Sequence, residues 1–283
     1  MQNIDYVVPY SNNSKDKIKE LMKNYNYIGM DDSDNELSKR YNSEEKIFQL
    51  QVRSIAKNMP WINTFHLIVE NDDHIPTWLN TEMVHIVYQK DFMLDYPSYN
   101  STSIECFLHK IPNLSEYFIY GNSDYIITKP LNENNFFAGE KTKHKFDRFI
   151  FNKNAQYNCI AINSYRLIYG DNSNPIIPTP HALTPILKER AKKVYEKYEN
   201  KLLSSVTKFR SIINYNQYIY PLYDKLLGMT ETSNLLNYTT EGYYNEKALQ
   251  KADVVCLENI DDDHPLINKF ENIYKFEKCK YEK

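Results

Sequence analysis

Cysteine is scarce in this sequence, and its four cysteines are far apart. Cys106, Cys159, Cys256 and Cys279 form no C-x-x-C pair. Structural zinc sites need ligands at short spacings, and disulfide frameworks need many cysteines in a short chain. Neither is therefore expected, and a reducing compartment fits.

Long apolar runs are also missing. No run approaches the roughly 20 residues that a membrane-spanning helix needs. No basic segment followed by an apolar stretch opens the chain, and Ile4–Val8 instead has the pattern of a buried strand. We therefore expect a soluble, cytoplasmic protein.

The sequence has no excess of positive charge. Its 34 lysines and arginines against 37 aspartates and glutamates give a net charge of −3, so there is no bulk electrostatic attraction to nucleic acid. The chain has 283 residues, of which 42% are hydrophobic. That is enough for a large core, and it suits one large α/β domain or one domain with a helical appendage.

Strand and helix patterns alternate over residues 1–130. The predicted strands are Ile4–Val8, Phe65–Val69, Val84–Val87 and Glu116–Tyr120. The predicted helices run from Lys15 to about Tyr25 after a Ser14 cap, from Ser43 to Met59 before Pro60, and from a Thr102/Glu105 capping box towards His109. This alternation favours a mostly parallel sheet with helices on both faces. Ligands of such sheets bind beyond the carboxyl ends of the strands.

The later part of the chain has mixed patterns. Strands are predicted at Arg148–Phe151, Cys159–Ile162 and Val254–Leu257, and helices at Ala182–Lys201 and Tyr215–Leu227. The final segment, KFENIYKFEKCKYEK, is rich in lysine and aromatic residues. It could contact a membrane surface, although its glutamates favour a solvated terminus.

Two polar side chains interrupt the apolar run YFIYGNSDYIITKP. Asn122 and Asp124 come just after the predicted strand that ends at Tyr120. A carboxylate at that edge could hold Mg²⁺ or Mn²⁺ against a diphosphate. The same residue types are common in tight turns, so the spacing alone leaves a plain turn equally open.

Five other residues are candidates for a site, each with a structural alternative. Glu105 and His109 are four apart and would share a helix face, but Glu105 could serve only the capping box. His181 follows Pro178-Thr179-Pro180 before a predicted helix and could act as general acid or base, or remain a loop histidine. Arg53 and Arg210 could clamp phosphate or be solvated.

These signals are stronger when the motifs are taken in order. The run RSIAKNMPWINTFHLIVENDDHIPTWLN, followed by YPSYNSTSIECFLHKIPNLSEYFIYGNSD, resembles the central region of the Stealth family of capsular polysaccharide phosphotransferases. IDYVVPY resembles the family's opening strand. PTPHALTPILKE resembles its third region, and KFRSIINYNQYIYPLY with VVCLEN resembles the fourth. The family is also similar to the catalytic part of the animal lysosomal-enzyme N-acetylglucosamine-phosphotransferase.

The resemblance implies a fold and a reaction. The fold is α/β, a mostly parallel twisted sheet like that of nucleotide-sugar transferases of the GT-A type, with C-terminal helices. Residues 1–283 would form one catalytic domain, with an α/β nucleotide-sugar core over 1–175 and a mostly helical part over 176–283. A sugar-1-phosphate would pass from a nucleotide-diphosphate sugar to a hydroxyl of a glycan, which could be linked to lipid at the inner face of the plasma membrane. The setting would be bacterial capsule or exopolysaccharide synthesis.

The resemblance also assigns roles by position. Asp124 would contact Mg²⁺ or Mn²⁺ or activate the hydroxyl, and Asn122 would hold phosphate or sugar. Asn100 and Glu105 would contact the substrate, supported by His109. His181 would lie near the phosphate, Arg210 would neutralise it, and Arg53 would be structural or bind an anion.

The sequence departs from the family pattern at four places, one of which is the segment Ile47-Phe48-Gln49-Leu50, where the family has Glu-Leu-Arg-Tyr. Asn12 and Ser123 stand where the family has carboxylates, so two candidate metal ligands are lost. Pro178 replaces the first histidine of the third region, and only His181 remains. Two alternatives therefore stay open: a glycosyltransferase on the same scaffold that releases nucleoside diphosphate, and a non-catalytic protein that binds nucleotide sugar or glycan.

Overall fold

The computed structural model describes residues 2–27, 45–93, 97–152, 155–171, 174–240, 244–258, 260 and 262–283. Within them the strands are β1 (Ile4–Pro9), β2 (Phe65–Val69), β3 (His85–Tyr88), β4 (Tyr117–Tyr120), β5 (Tyr125–Ile127), β6 (Phe137–Ala138), β7 (Lys141–His144), β8 (Phe146–Arg148), β9 (Ile176–Pro178), β10 (Thr184–Leu187), β11 (Thr230–Thr232), β12 (Asn237–Thr239) and β13 (Val254–Cys256).

The helices in the same ranges are α1 (Lys15–Asn24), α2 (Glu45–Asn58), α3 (Ser101–Glu105), α4 (Gln156–Tyr169), α5 (Lys188–Ser205), α6 (Ile219–Leu226), α7 (Glu246–Lys251) and α8 (Pro265–Tyr274). Short 3-10 turns lie at Asp72–His74, Gln89–Asp91, Leu108–Lys110 and Glu133–Asn135. None of the helices described is long and apolar enough to cross a bilayer.

The main sheet has five strands in the order β10-β4-β1-β2-β3. β4, β1, β2 and β3 are parallel, and β10 pairs antiparallel with β4 at the edge. Strand β1 is central, with Val7 opposite Tyr120 of β4 and Val8 opposite Leu67 of β2. The prediction of an α/β fold with a mostly parallel sheet is therefore confirmed.

Alternate residues of the central strands pack into different cores. Tyr6 and Val8 of β1 pack with Phe48 of α2 on one face, whereas Val7 packs with residues of α4, α5 and α6 on the other. Because strand side chains alternate in direction, a run such as IDYVVP is buried on both sides only if both faces are covered. The prediction of helices on both faces is confirmed.

A smaller sheet joins the C-terminal part of the chain to the segment that follows β4. Its order is β12-β13-β5, and β13 pairs antiparallel with β5, with Cys256 opposite Tyr125. This pairing brings residues near 256 beside the end of β4. It also places them at the carboxyl edge of the main sheet.

The aromatic tail packs against the fold. Phe276 and Tyr281 are buried, the Lys283 N–H donates to the Trp78 carbonyl at 2.9 Å, and the Asn80 N–H donates to the Tyr281 carbonyl at 2.8 Å. The tail is thus packed against the fold and is not the solvated terminus that its glutamates favoured. Its lysines remain at the surface while its rings fill the core.

Several predicted elements differ from those observed. Cys159–Ile162 is part of helix α4 rather than a strand, and the predicted helix at Ala182–Lys201 begins with strand β10. The strand predicted at Arg148–Phe151 is observed at Phe146–Arg148 as β8. The predicted start of a helix at Ser43 lies outside the described residues, and α2 is described from Glu45.

Candidate active site

The segment between β4 and β5 lies at the carboxyl edge of the main sheet. Its first residue, Gly121, lies against the side chains of Tyr6 and Leu183. The carbonyl of Asn122 accepts a hydrogen bond from the side chain of Gln51, and its side-chain Nδ2 is 3.5 Å from the Tyr125 hydroxyl. The backbone here is therefore held by β1, by Leu183 just before β10 and by α2, and Asn122 is only partly exposed.

Asp124 has two oxygens in different surroundings. Oδ2 accepts a hydrogen bond from the Cys256 thiol at 3.3 Å, whereas Oδ1 is buried and has no hydrogen-bond partner among the described residues. Burial raises the pKa of the Asp124 carboxyl, and the neighbouring His181 and Cys256 oppose that rise in part. One oxygen is thus held, and the other is a buried acceptor whose hydrogen-bonding capacity is unused among the described residues.

His181 lies on the other side of the same thiol. Its Nδ1 is 3.6 Å from Cys256 Sγ, and its Nε2 is 3.4 Å from Glu258 Oε2. The ring stacks on Tyr157, with centroids 6.1 Å apart. The structure therefore brings Asp124 and His181 together through Cys256. His181 precedes strand β10 and not a helix, which corrects the sequence interpretation.

Cys256 and Glu258 are neighbours of the site that sequence reasoning missed. The strand pattern at Val254–Leu257 was visible, but a contact between Cys256 and Asp124 spans 132 residues. That contact follows from the pairing of β13 with β5, and no local pattern encodes it.

Glu105 is buried beneath the site. Its carboxylate accepts hydrogen bonds from the Gln217 N–H at 2.7 Å and from the Tyr120 hydroxyl at 2.9 Å. Burial raises its pKa to about 7, and these two donors, together with the charge of Arg210, limit the rise. The predicted Thr102/Glu105 capping box is not formed, since Glu105 is the last residue of α3 and its carboxylate is committed elsewhere.

Asn100 is the actual N-cap of α3. Its Oδ1 accepts from the Thr102 N–H at 3.1 Å, and its Nδ2 lies 3.0 Å from both Ser103 Oγ and Asn214 Oδ1. Only 2% of Asn100 is exposed. Its side chain is therefore occupied in joining α3 to the loop that precedes α6.

Arg210 lies beside the first residue of α3, the helix that ends at Glu105. Its Nη2 donates to Ser101 Oγ at 3.1 Å, and its carbonyl accepts from Gln156 Nε2 at 3.1 Å. Tyr157 connects this region with His181, because its ring stacks on His181 and its pKa responds to nearby charges. Burial raises the pKa of Tyr157 to about 12, an effect to which Glu105 adds and which Arg210 opposes.

Asn12 lies in the loop after β1, near the carboxyl end of β2. Its N–H donates to His74 Nδ1 at 3.0 Å, and His74 Nε2 is 3.3 Å from Glu70 Oε2. Its side chain is exposed. Asn12 is thus at the same edge of the sheet as Asp124, in the loop that follows the neighbouring strand β1.

His109 and Arg53 have partners outside this cluster. His109 belongs to a 3-10 turn rather than to α3, so it does not share a helix face with Glu105, and its ring lies 4.7 Å from that of Tyr195. Burial, with the charge of nearby lysines, lowers the pKa of His109 to about 4. Arg53 makes two hydrogen bonds of 2.9 Å to Glu282, from Nε and Nη2. Of the structural and anion-binding roles considered for Arg53, this contact fits the structural one.

The surroundings of Asp124 do not supply the ligands of a divalent cation. Mg²⁺ takes oxygen ligands in near-octahedral geometry, whereas Asp124 Oδ2 is bonded to the Cys256 thiol, which in turn contacts the His181 imidazole. In the described ranges no three histidine, cysteine, aspartate or glutamate side chains converge as a metal site. The Mg²⁺ or Mn²⁺ predicted at Asp124 therefore does not fit these residues.

Comparison with known families gives a match to the region that contains most of these residues. The model for Stealth protein CR2, conserved region 2, matches residues 40–145. This chain carries the conserved region 2 of the Stealth family. The resemblance seen in the motifs is confirmed, and Asn100, Glu105 and Asp124 lie within the Stealth region, whereas His181 and Arg210 lie outside it.

Curated relatives of the chain are polysaccharide phosphotransferases. Capsular polysaccharide phosphotransferase fcs1 of Haemophilus influenzae is 31% identical over 222 residues, which is 71% of this chain and 58% of that protein. Capsular polysaccharide phosphotransferase SacB of Neisseria meningitidis serogroup A is 27% identical over 285 residues, which is 93% of this chain and 50% of that protein. The chain thus spans about half the length of these relatives.

Among solved structures, the galactosyltransferase LgtC in complex with donor and acceptor sugar analogues aligns with a TM-score of 0.49 and 10% identity. The alignment covers 96% of this chain and 95% of LgtC.

Proposed function

We propose that this protein transfers a sugar-1-phosphate from a nucleotide-diphosphate sugar to a hydroxyl group of a glycan, and so forms a phosphodiester in a capsular or related surface polysaccharide. The names of its relatives support this reaction class. The observation that carries the proposal is the state of Asp124. One of its oxygens is held by Cys256, and the other is buried without a partner at the carboxyl edge of the sheet.

The Oδ1 atom of Asp124 is suited to accept a proton. Burial raises the pKa of this carboxyl, and a carboxylate with a raised pKa is a better base. In the proposed reaction the acceptor hydroxyl donates its hydrogen bond to Oδ1 and gives up its proton there as its oxygen attacks. His181 contacts Cys256, the residue whose thiol is bonded to Asp124 Oδ2.

Both the bond that forms and the bond that breaks are at the phosphorus that carries the sugar. A bond forms between the acceptor oxygen and the phosphorus that carries the sugar. The bond between that phosphorus and the oxygen bridging the two phosphates breaks, and nucleoside monophosphate leaves with the electron pair. Such a reaction needs alignment of the attacking and leaving oxygens and neutralisation of charge, with little covalent chemistry by the protein.

Arg210 is the guanidinium that we assign to phosphate charge. It is only partly buried, and its charge already acts on Glu105 and Tyr157. Asn12 and Asn122, at the same edge of the sheet, are assigned to the sugar or nucleotide as amide hydrogen-bonding groups. We propose that residues 1–283 act as one catalytic domain in the cytoplasm, at the inner face of the membrane if the glycan acceptor is lipid-linked.

The bond in the product distinguishes this function from its rivals. Purified protein is incubated with a panel of nucleotide sugars and capsular oligosaccharide acceptors, with Mg²⁺, with Mn²⁺ and with chelator, and the product is examined by ³¹P NMR. A phosphodiester signal joined to both sugars is expected. A glycosidic product without phosphorus would contradict sugar-phosphate transfer and identify a glycosyltransferase. Donor binding without any product would identify a binding protein.

A further inference from the structure

Glu258 lies beside His181 at the opening of the site. Its Oε2 is 3.4 Å from His181 Nε2, while Cys256 Sγ is 3.6 Å from Nδ1 of the same ring. The imidazole therefore has a carboxylate at one nitrogen and a thiol at the other. The same thiol holds Asp124 Oδ2, so the contacts run without interruption from Glu258 to Asp124.

Backbone hydrogen bonds fix the position of Glu258 relative to Asp124. The Leu257 N–H donates to the Asp124 carbonyl at 2.9 Å, and the Thr240 hydroxyl donates to the Glu258 carbonyl at 2.8 Å. The segment that leaves β13 is thus attached to Asp124 on one side and to the end of β12 on the other. A site built on strands in this way keeps its geometry better than one on a free loop.

The pair of Glu258 and His181 contributes little to stability. The two side chains are 38% and 27% exposed, and even a fully charged pair so close to solvent is worth about 0–1 kcal/mol. His181 has a φ of 52°, in the left-handed region that non-glycine residues avoid, at a cost of about 1–2 kcal/mol. Strain of this kind persists mainly where a side chain is needed in one orientation.

We propose that Glu258 is a positioning residue that holds His181 Nε2 and so directs Nδ1 at the Cys256 thiol behind Asp124 Oδ2. A carboxylate only accepts hydrogen bonds, so a proton on Nε2 lies towards Glu258. Nδ1 then presents its lone pair to Cys256, whose single thiol hydrogen can be donated either to Nδ1 or to Asp124 Oδ2. The effect of these contacts on turnover rests on the proposed function. The orientation of the His181 ring by Glu258 does not depend on it.

The kinetic test uses Glu258→Ala, Glu258→Gln and the control Glu231→Ala. Glu231 forms a similarly exposed pair with Lys141, at 3.9 Å and away from the site. Removing a carboxylate that orients an imidazole is expected to lower kcat about 10- to 100-fold, with donor KM within about twofold of wild type. Glu258→Gln should recover most of this loss, because its amide oxygen still accepts from Nε2. The control should match wild type.

Three kinetic results would overturn the proposal: a Glu258→Ala variant as active as the control, a rise in KM with kcat unchanged, or a Glu258→Gln variant as slow as Glu258→Ala. A double-mutant cycle with His181→Ala distinguishes an effect through His181 from a general loss of structure, which would lower kcat in both backgrounds. If Glu258 acts through His181, then Glu258→Ala should change kcat less than about twofold in the His181→Ala background. Independent, additive losses would contradict it.

A readout without turnover separates this inference from the proposed function. The ¹⁵N chemical shifts of the His181 ring, assigned among the seven histidines by comparison with His181→Ala, report which nitrogen carries the proton. In wild type and in Glu258→Gln we expect the proton on Nε2. In Glu258→Ala we expect a mixture of both tautomers. Unchanged shifts in Glu258→Ala would overturn the inference, even for a protein that transfers nothing.

Discussion

The hydroxyl of Tyr6 occupies the space that a side chain at Gly121 would need. A Cβ atom on Gly121 would overlap this hydroxyl and would lie 2.9 Å from Leu183 Cδ2. Tyr6 belongs to central strand β1 and is fully buried, so it cannot easily move. The glycine at this position thus lets the chain pass close to β1 just before Asp124.

Gly121→Ala should therefore destabilise the protein. Overpacking of this kind costs about 1–3 kcal/mol, which equilibrium urea unfolding would measure. Tyr6→Phe removes the overlapping hydroxyl, so the cost of Gly121→Ala should fall by at least about half in the Tyr6→Phe background. An equal cost in both backgrounds would mean that Tyr6 is not what excludes a side chain here.

The buried carboxyl of Glu105 should make stability depend on pH. Its pKa is raised from 4.5 to about 7 by burial, so the folded state resists its ionisation. The penalty is absent below pH 4.5 and grows as the pH rises to 7, where it reaches about 3 kcal/mol. Glu105→Gln lacks this group. Wild type should therefore lose stability relative to Glu105→Gln over this range, and a constant difference in unfolding free energy would contradict the assignment.

Asp5 should have the opposite effect. Its burial is outweighed by hydrogen bonds, since its oxygens lie 3.1 Å from His66 Nε2 and accept from Asn63 Nδ2 at 2.9 Å and from the Ser115 N–H at 2.7 Å. Its pKa is lowered from 3.8 to about 2. This stabilises the fold by about 2 kcal/mol above pH 3.8, and the contribution is lost as the pH falls through 2.

Asp5→Asn should accordingly destabilise the protein by about 2 kcal/mol at pH 7, measured by urea unfolding. The matched control is Asp171→Asn, because Asp171 pairs with Arg166 but is 89% exposed. The control should change stability by less than about 0.5 kcal/mol. The difference between wild type and Asp5→Asn should shrink between pH 4 and pH 2, and a difference that grows there would reverse the assigned sign.

The pair of Arg53 and Glu282 should matter for stability more than for substrate. Both branches of the guanidinium are engaged at 2.9 Å, and Glu282 is 4% exposed at its side chain. Lysine cannot make this two-point contact. Arg53→Lys should therefore lower the unfolding free energy by about 1–3 kcal/mol and leave the donor KM of the folded protein unchanged. A raised donor KM with unchanged stability would instead favour an anion-binding role.

Local patterns predicted the central elements well. Phe65–Val69 is strand β2 as predicted, the predicted strand at Ile4–Val8 extends by one residue in β1, and Ser14 caps α1. These segments have continuous apolar runs or a capping side chain. Their conformation is therefore set largely within the segment.

The errors arose where distant partners decide the conformation. Thr184–Leu187 continues into a helical pattern, but it forms a strand because it pairs antiparallel with β4 at the edge of the sheet. Ile160 and Ile162 favour a strand by their branching, yet they lie in α4, whose buried positions Ile160, Ser164 and Ile168 recur every four residues.

The candidate site was predictable to a similar extent. Asp124 could be placed at the carboxyl end of a strand from the chain order alone, and His181 was a candidate from its local sequence before the family motif assigned it a role. Cys256 and Glu258 lie in the motif VVCLEN, but their place beside Asp124 could not be predicted, because only the pairing of β13 with β5 brings them there. The replacement of family carboxylates by Asn12 and Ser123 does not by itself predict which side chains surround Asp124.

Asp124 is assigned as the base in the transfer of a sugar-1-phosphate. The most direct measurement is acceptor-dependent release of nucleotide from a nucleotide-diphosphate sugar by wild type, Asp124→Asn and the control Asp171→Asn, with the released nucleotide identified by chromatography. We predict nucleoside monophosphate from wild type and from the control, and a loss of at least about 100-fold in Asp124→Asn. Release of nucleoside diphosphate, or an Asp124→Asn variant as active as the control, would contradict it.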